Sequence, residues 1–248
     1  MRPIYLPEVD STQTYITQLL PDQGPHMHIA AFTFNQYNGK GQLNKKWISE
    51  PNAGIALSIA FPFPKSTEID WVEINKRLCS GIITFLREHI QSDFYLKWPN
   101  DIIFNDRKLG GMIMNVVAKD DVNYLVLGLG INLMQPTQLP QAIGLYEILN
   151  HNNIDPKHLT LTLIDFLNNL MGQKPKIKID QTYSKFLWRL GEMVDVQPYP
   201  KNPDKIEQST VRKFIGVDEN GRALFAEHSA YVAFHSGMAS ILLPPRKK

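Results

Sequence analysis

One cysteine, Cys79, occurs in 248 residues, which excludes a disulfide framework and a cysteine-built zinc site and leads us to expect a reducing, cytoplasmic location. Long hydrophobic runs are also missing. No stretch approaches the ~20 apolar residues needed to span a bilayer, and the opening Met1-Arg2-Pro3-Ile4-Tyr5 lacks the apolar core of a signal peptide. No membrane partner is therefore expected. Charge of one sign is scarce too: the net charge of +2 gives no electrostatic case for nucleic acid. His89, His151, His158, His228 and His235 are scattered without metal-ligand spacing. No serine sits in a nucleophile-elbow pattern and no Walker-type phosphate loop is present. Any nucleotide must be held in another way.

What is present describes an ordinary globular chain, 43% hydrophobic and 20% charged, without internal repeats or low-complexity segments. Asp10-Ser11-Thr12 offers capping side chains to a helix carrying Tyr15, Ile16, Leu19 and Leu20. Ala30 to Phe34 reads as a strand, followed by a polar loop from Asn35 to Lys46 and a buried strand from Ile55 to Phe61. Ile74, Leu78, Ile82 and Phe85 mark an amphipathic helix from Trp71 to Ile90. Phe94 to Leu96 returns to strand. Ile102 to Phe104 and Leu109 to Val117 flank an Asn105-Asp106 turn, and Tyr124 to Leu129 forms a further strand. Helices are predicted over Pro156 to Leu170, with Leu161, Ile164, Leu167 and Leu170 on one face, and over Thr182 to Leu190. Beyond Gly191 the chain turns to short strands with turns such as Asp218-Glu219-Asn220-Gly221. We expect an α/β (α+β) unit with a mixed sheet over residues 1–189 and a small β-barrel over 190–248.

The chemistry concentrates in Lys97-Trp98-Pro99-Asn100-Asp101 and Lys108-Leu109-Gly110-Gly111. Two ammonium groups, a carboxylate, an amide and a glycine pair fall around two strand ends, which suits a pocket for two anionic reactants such as a carboxylic acid and a nucleoside triphosphate. The plainer reading of Lys97 and Asp101 is a surface ion pair worth under ~1 kcal/mol. Gly110-Gly111 and Gly128-Leu129-Gly130 mark either bulges or close approach of a ligand, and Asn132 either caps a turn or meets a ribose or phosphate. Gly39-Lys40-Gly41-Gln42 reads either as a solvated turn or, with Lys45 and Lys46, as a wrap for a charged ligand.

Taken in order, these segments resemble the biotin protein ligases. Asp10-Ser11-Thr12-Gln13 looks like the family's Ser-Thr-Asn helix start, and Gln36 with Gly39-Lys40-Gly41 looks like its biotin and adenylate loop, closed by Trp47. Lys97 to Asp101 and Lys108 to Gly111 match its central signatures, Gly128 to Asn132 its Gly-x-Gly-Ile-Asn strand, and Gly216 to Gly221 the turn of its C-terminal SH3-like domain. The resemblance implies that ATP and biotin react to give biotinyl-AMP, and that biotin then passes to a lysine of a biotin carboxyl carrier domain, as in acetyl-CoA carboxylase. A lipoate ligase or a degenerate biotin-binding homologue are the alternatives.

It further implies biotin contacts from Ser11, Thr12, Gln13, Gln36, Gly39, Lys40, Gly41, Gln42, Lys108, Gly128 and Gly130. ATP contacts would come from Lys40, Trp47, Lys97, Asn100, Asp101 and Asn132. Lys108, Lys40 and Asp101 would carry the catalysis, with Asp101 also a magnesium ligand. Ser11 lies too near the start for a preceding DNA-binding winged helix, so a monofunctional ligase is expected; some members dimerise, and that state stays open. Two departures stand out. Gln42-Leu43-Asn44 lacks the family loop's second arginine and final glycine, which implies weaker retention of the adenylate, and Met238 stands where a glutamate is common.

Overall fold

The computed structural model describes residues 3–20, 28–119, 121–150, 154–173, 179–199, 207–228 and 230–245; Met1, Arg2 and His151 lie outside them. In chain order the first unit contains β1 (Ile4–Tyr5), α1 (Thr12–Leu19), β2 (Ile29–Thr33), β3 (Gly39–Lys40), β4 (Lys46–Trp47), β5 (Gly54–Pro64) and α2 (Trp71–Ile90). There follow β6 (Tyr95–Lys97), β7 (Asp101–Phe104), β8 (Arg107–Lys119), β9 (Val122–Asn132), α3 (Leu145–Leu149), α4 (Pro156–Gly172) and α5 (Ile179–Phe186). Seven strands form one sheet in the order β1-β2-β5-β9-β8-β7-β6; β1 and β2 run parallel and the other pairs antiparallel, giving the expected mixed sheet.

The sheet is covered differently on its two faces. Ile55, Leu57, Ile59 and Phe61 of β5 pack with Leu78, Ile82 and Phe85 of α2 and with Leu163, Ile164 and Leu167 of α4 in one cluster. On the other face α1 sends Ile16 against Ala31, Ala60 and Val126. That helix is short, so most of this second face is left to build a cavity. α2 starts where Asp70 accepts from the amides of Val72 and Glu73, both at 2.9 Å, and ends on a left-handed Gln91. The β7–β8 hairpin turns through Asn105 and Asp106, both at positive φ (45° and 60°), a conformation that Asn and Asp adopt more readily than most residues.

The second unit comprises β10 (Met193–Pro198), β11 (Thr210–Val217), β12 (Ala223–Glu227), β13 (Ala230–Phe234) and β14 (Ala239–Ile241). These form an antiparallel sheet in the order β13-β12-β11-β10-β14. Among the described residues no ladder joins β13 to β14, so the expected small β unit is an open sheet and not a closed barrel. Phe214, Phe225, Val196 and Ile241 of this sheet belong to the same apolar cluster as α2 and α4. Polar ties reinforce the contact: Trp98 Nε1 donates to the Gly221 carbonyl at 3.1 Å and Lys76 Nζ to the Asp218 carbonyl at 2.8 Å.

Candidate active site

Strand register assembles the site. Asp101 pairs with Gly111, Gly111 with Gly130 and Gly130 with Ala56, while two residues along the strands Ile113, Gly128 and Ser58 form a second row. Side chains alternate between faces with a period of two, so both rows look out of the same face, the one away from α2 and α4. With glycine at 111, 128 and 130 that face is low, and a cavity of about 330 Å³ opens above it. The start of α1, the segment around Gln36 and the β3–β4 hairpin form its walls, and Tyr199 and Ser240 of the second unit complete the rim.

One end of the cavity is polar and uncharged. Ser11 caps α1, its Oγ accepting from the Thr14 amide at 3.3 Å, which sets the first turn of the helix against the cavity. The Thr12 amide donates to Gln36 Oε1 at 2.9 Å, the Thr12 hydroxyl lies 3.3 Å from the same oxygen, and it shares a hydrogen bond with the Ser58 hydroxyl at 2.9 Å. These groups are buried and already ordered by one another, so a ligand meets donors and acceptors in fixed positions. Gln13 reaches the Val126 carbonyl at 3.5 Å.

The other end is cationic. Asp101 lies between two ammonium groups, with Lys97 Nζ 2.9 Å from Oδ2 and Lys108 Nζ 2.6 Å from Oδ1. Burial alone would push the Asp101 carboxyl up, but the charges and hydrogen bonds of Lys97 and Lys108 together outweigh it and hold the group below the ordinary carboxylate range. Lys108 Nζ also stands 5.7 Å above the centre of the Trp47 ring. Trp47 lies against Gly130, where a Cβ would come within 2.5 Å of its Cε2. Glycine is required there by this close approach.

Of the residues expected to form the site, Ser11, Thr12, Gln13, Gln36, Lys40, Gly41, Gln42, Trp47, Asn100, Asp101, Lys108, Gly128, Gly130 and Asn132 all border this one cavity. Gly39 and Lys97 do not. Gly39 is buried behind it, packed between the Gln36 amide and the Trp47 Cβ, and Lys97 is buried behind Asp101. Asn100 and Asn132 spend their side-chain amides on the backbone: Asn100 on the Met112 carbonyl, Asn132 on the Lys108 and Ile143 carbonyls at 3.4 and 3.3 Å.

The polar loop expected over 35–46 is more ordered than its composition suggests. It folds as the β3–β4 hairpin around a 3₁₀ turn at Gln42–Asn44, with Leu43 left-handed (φ 54°, ψ 39°) and exposed beside Gly237. Lys45 Nζ donates to the Tyr199 hydroxyl at 3.3 Å, so this hairpin is tied to the second unit. Met238 does not border the cavity, but its carbonyl accepts from the Tyr199 amide at 2.8 Å.

The protein donors present would not by themselves enclose a magnesium ion. Both Asp101 oxygens accept from ammonium groups, and among the described residues no group of three or more His, Cys, Asp or Glu side chains could surround an ion. A magnesium entering on nucleotide phosphates would keep phosphate and water as ligands.

A family model described as "Biotin/lipoate A/B protein ligase family" matches residues 5–132, just over half of the chain and the part that supplies nearly all of the cavity. The chain belongs to the biotin/lipoate A/B protein ligase family. The bifunctional ligase/repressor BirA of Escherichia coli (strain K12) is 30% identical over 132 residues, covering 52% of this chain and 39% of that protein. A structure of a biotin protein ligase from Aquifex aeolicus in complex with biotin and ATP is similar at a TM-score of 0.75 with 24% identity, covering 98% of this chain and 99% of that one. A Leishmania major biotin protein ligase in complex with biotinyl-5-AMP aligns over 97% and 98% of the two chains at a TM-score of 0.62 and 17% identity. These likenesses establish the fold of the whole chain, second unit included.

Residues that sequence reasoning did not single out also border the cavity: Ser58, Met112 and Ile113 of the sheet, and Tyr199 and Ser240 of the second unit. β5 is buried at every residue from Gly54 to Phe61, so no alternation in its sequence marks Ser58 as facing a ligand.

Proposed function

We propose that the chain is an ATP-dependent biotin protein ligase, which makes biotinyl-AMP and passes biotin to a lysine of a biotin carboxyl carrier domain such as that of acetyl-CoA carboxylase. The observation that carries this reading is the polarity of one cavity, uncharged donors and acceptors at the Thr12–Gln36–Ser58 end and lysines at the Asp101 end. Biotin has the same polarity, a ureido ring at one end and a carboxylate at the other. The names of its relatives and the ligands bound in their structures support the choice. Lipoate offers a dithiolane to the first end, which would leave the Thr12, Gln36 and Ser58 groups without a polar partner. Residues 1–189 would carry the chemistry and residues 190–248 close the cavity from the side of Tyr199. A reducing, cytoplasmic setting belongs to the same reading.

In the first step a biotin carboxylate oxygen attacks the α-phosphorus of ATP; the bond to the bridging oxygen breaks and pyrophosphate leaves with its electron pair. Lys108, held by Asp101 at the cavity wall, offsets the charge of the carboxylate and of the phosphoryl oxygens, and Lys40 adds to it from the rim. In the second step an acceptor lysine, arriving as the free amine, attacks the carbonyl carbon of the anhydride. The C–O bond to AMP breaks, AMP departs as the anion, and the amine gives up a proton to solvent. No protein nucleophile takes part; the protein aligns two reactants and supplies fixed charge.

The test is mass spectrometry of a recombinant carrier domain after incubation with the chain, biotin and ATP-magnesium, together with pyrophosphate release. One biotinyl group on the acceptor is expected. Biotin binding without pyrophosphate release would mark a binding protein, and transfer of lipoate without biotin would move the chain to the other branch of its family.

A further inference from the structure

Lys97 is a buried cation that does not border the cavity, although the family resemblance places it among the nucleotide contacts. Its side chain is 7% exposed, against 34% for Lys108, and its ion-pair partner among the described residues is Asp101. β6 and β7 place it there, for Lys97 is the register partner of Asp101 across the turn that follows Lys97. The three groups therefore follow one another in rising exposure, from the interior towards the cavity: ammonium, carboxylate, ammonium.

The charges of this triad explain what a buried lysine adds. Asp101 holds Lys108 in place at 2.6 Å, but a carboxylate that close cancels the lysine's charge as seen from the cavity. An Asp101–Lys108 pair alone would be neutral, and a neutral pair does little for an anionic substrate. With Lys97 on the far oxygen the triad carries +1, and its exposed member is Lys108. We infer that Lys97 is a positioning and charge-compensating residue: it neutralises Asp101 so that Asp101 can orient Lys108 without cancelling its attraction for the reacting anions. The inference rests on the reading of this cavity as the site where a carboxylate and a nucleotide meet. It assigns Lys97 no contact with either.

The charge count makes a prediction that a purely structural lysine would not. Lys97→Met leaves the triad neutral, and adding Asp101→Asn in the same chain returns it to +1. Biotin affinity is read by calorimetry in wild type, Lys97→Met, Lys97→Arg, Asp101→Asn and the Lys97→Met/Asp101→Asn double variant, with biotin amide as an uncharged control. Lys97→Met should weaken biotin about tenfold, a one-charge effect at a partly solvated site, and leave biotin amide within about twofold. Lys97→Arg should retain wild-type affinity. The double variant should recover most of the lost biotin affinity while the adenylation kcat stays low, because Lys108 has lost its orienting partner.

A double variant that binds biotin no better than Lys97→Met would overturn the inference, as would parallel loss of biotin and biotin amide. Should Lys97→Met fail to fold, Asp101→Asn alone still decides: its triad carries +2, so biotin binding should tighten as kcat falls, and unchanged or weaker binding counts against compensation. If wild type neither binds biotin nor releases pyrophosphate, the ligase reading fails separately, and the same ordering of variants is then read with inorganic pyrophosphate as the anionic probe.

Discussion

At the scale of single residues, opposite kinds of group border the two ends of one cavity. Lys108 is the only member of the Lys97–Asp101–Lys108 triad that both borders the cavity and carries a charge suited to anions. Lys108→Gln keeps a donor and much of the length while removing the charge, so adenylation measured by pyrophosphate release should fall about 10²–10³-fold. Near-normal turnover would remove Lys108 from the chemistry. At the other end, Thr12→Val keeps the shape and deletes the hydroxyl that bridges Gln36 and Ser58. We expect KM for biotin to rise about tenfold with kcat little changed, since a lost neutral hydrogen bond costs ~1 kcal/mol or somewhat more when its partners stay buried.

At the scale of elements, β8 runs hard against the backbone of β9 at Gly110. A Cβ at Gly110 would come within 2.4 Å of the Gly130 carbonyl oxygen, and backbone cannot yield as a side chain can. Gly110→Ala should force β8 and β9 apart, at a cost of ~1–3 kcal/mol seen as a lower denaturation midpoint, with loss of the cavity floor. Asp70→Ala removes the cap of α2, far from the cavity, and should cost ~1 kcal/mol of stability with turnover unchanged. Equal loss of activity in both variants would contradict this separation.

Legibility in the sequence followed element length. The 20-residue helix α2 has the bounds that its apolar spacing predicts, Trp71 to Ile90, because a long amphipathic face leaves little choice of register. α3, five residues long, is too short to show a period. α5 ends at Phe186, short of the expected Leu190, where Leu187 leaves the helix to bridge Leu96. On α4 the buried face runs through Leu159, Thr160, Leu163, Ile164 and Leu167, so Leu161 and Leu170 lie at its margin. The site residues in compact motifs were visible; Tyr199 and Ser240 were not, because only tertiary packing brings them to the cavity.

At the scale of the molecule, the two units share one apolar cluster running from α2 and α4 into β10, β11 and β12. Calorimetry should therefore show one cooperative transition, and Trp98→Phe, which strands the Gly221 carbonyl, should lower its midpoint by an amount corresponding to ~1–3 kcal/mol. Two resolved transitions would instead mark independent domains. Stability should also depend on acid in a definite direction. The Asp101 carboxyl sits below its ordinary value, so its contribution is complete above the unfolded-state pKa of about 4 and is lost as pH falls through the lower, folded-state value. Thermal midpoints measured from neutral pH down to about pH 3 should fall less steeply in Asp101→Asn, which will also be less stable at neutrality because the Lys97 ammonium is left buried without a counter-ion.

The floor of the cavity has one more consequence, for anyone wishing to change what fits it. Gly111, Gly128 and Gly130 already present hydrogen in place of a side chain, so no substitution there can deepen the bed; every replacement fills it. Room for a bulkier ligand has to be taken from side chains around the bed, at Ile113, at Trp47 or along the Lys40 to Lys46 hairpin, the last of which is anchored to the second unit through Lys45 and Tyr199.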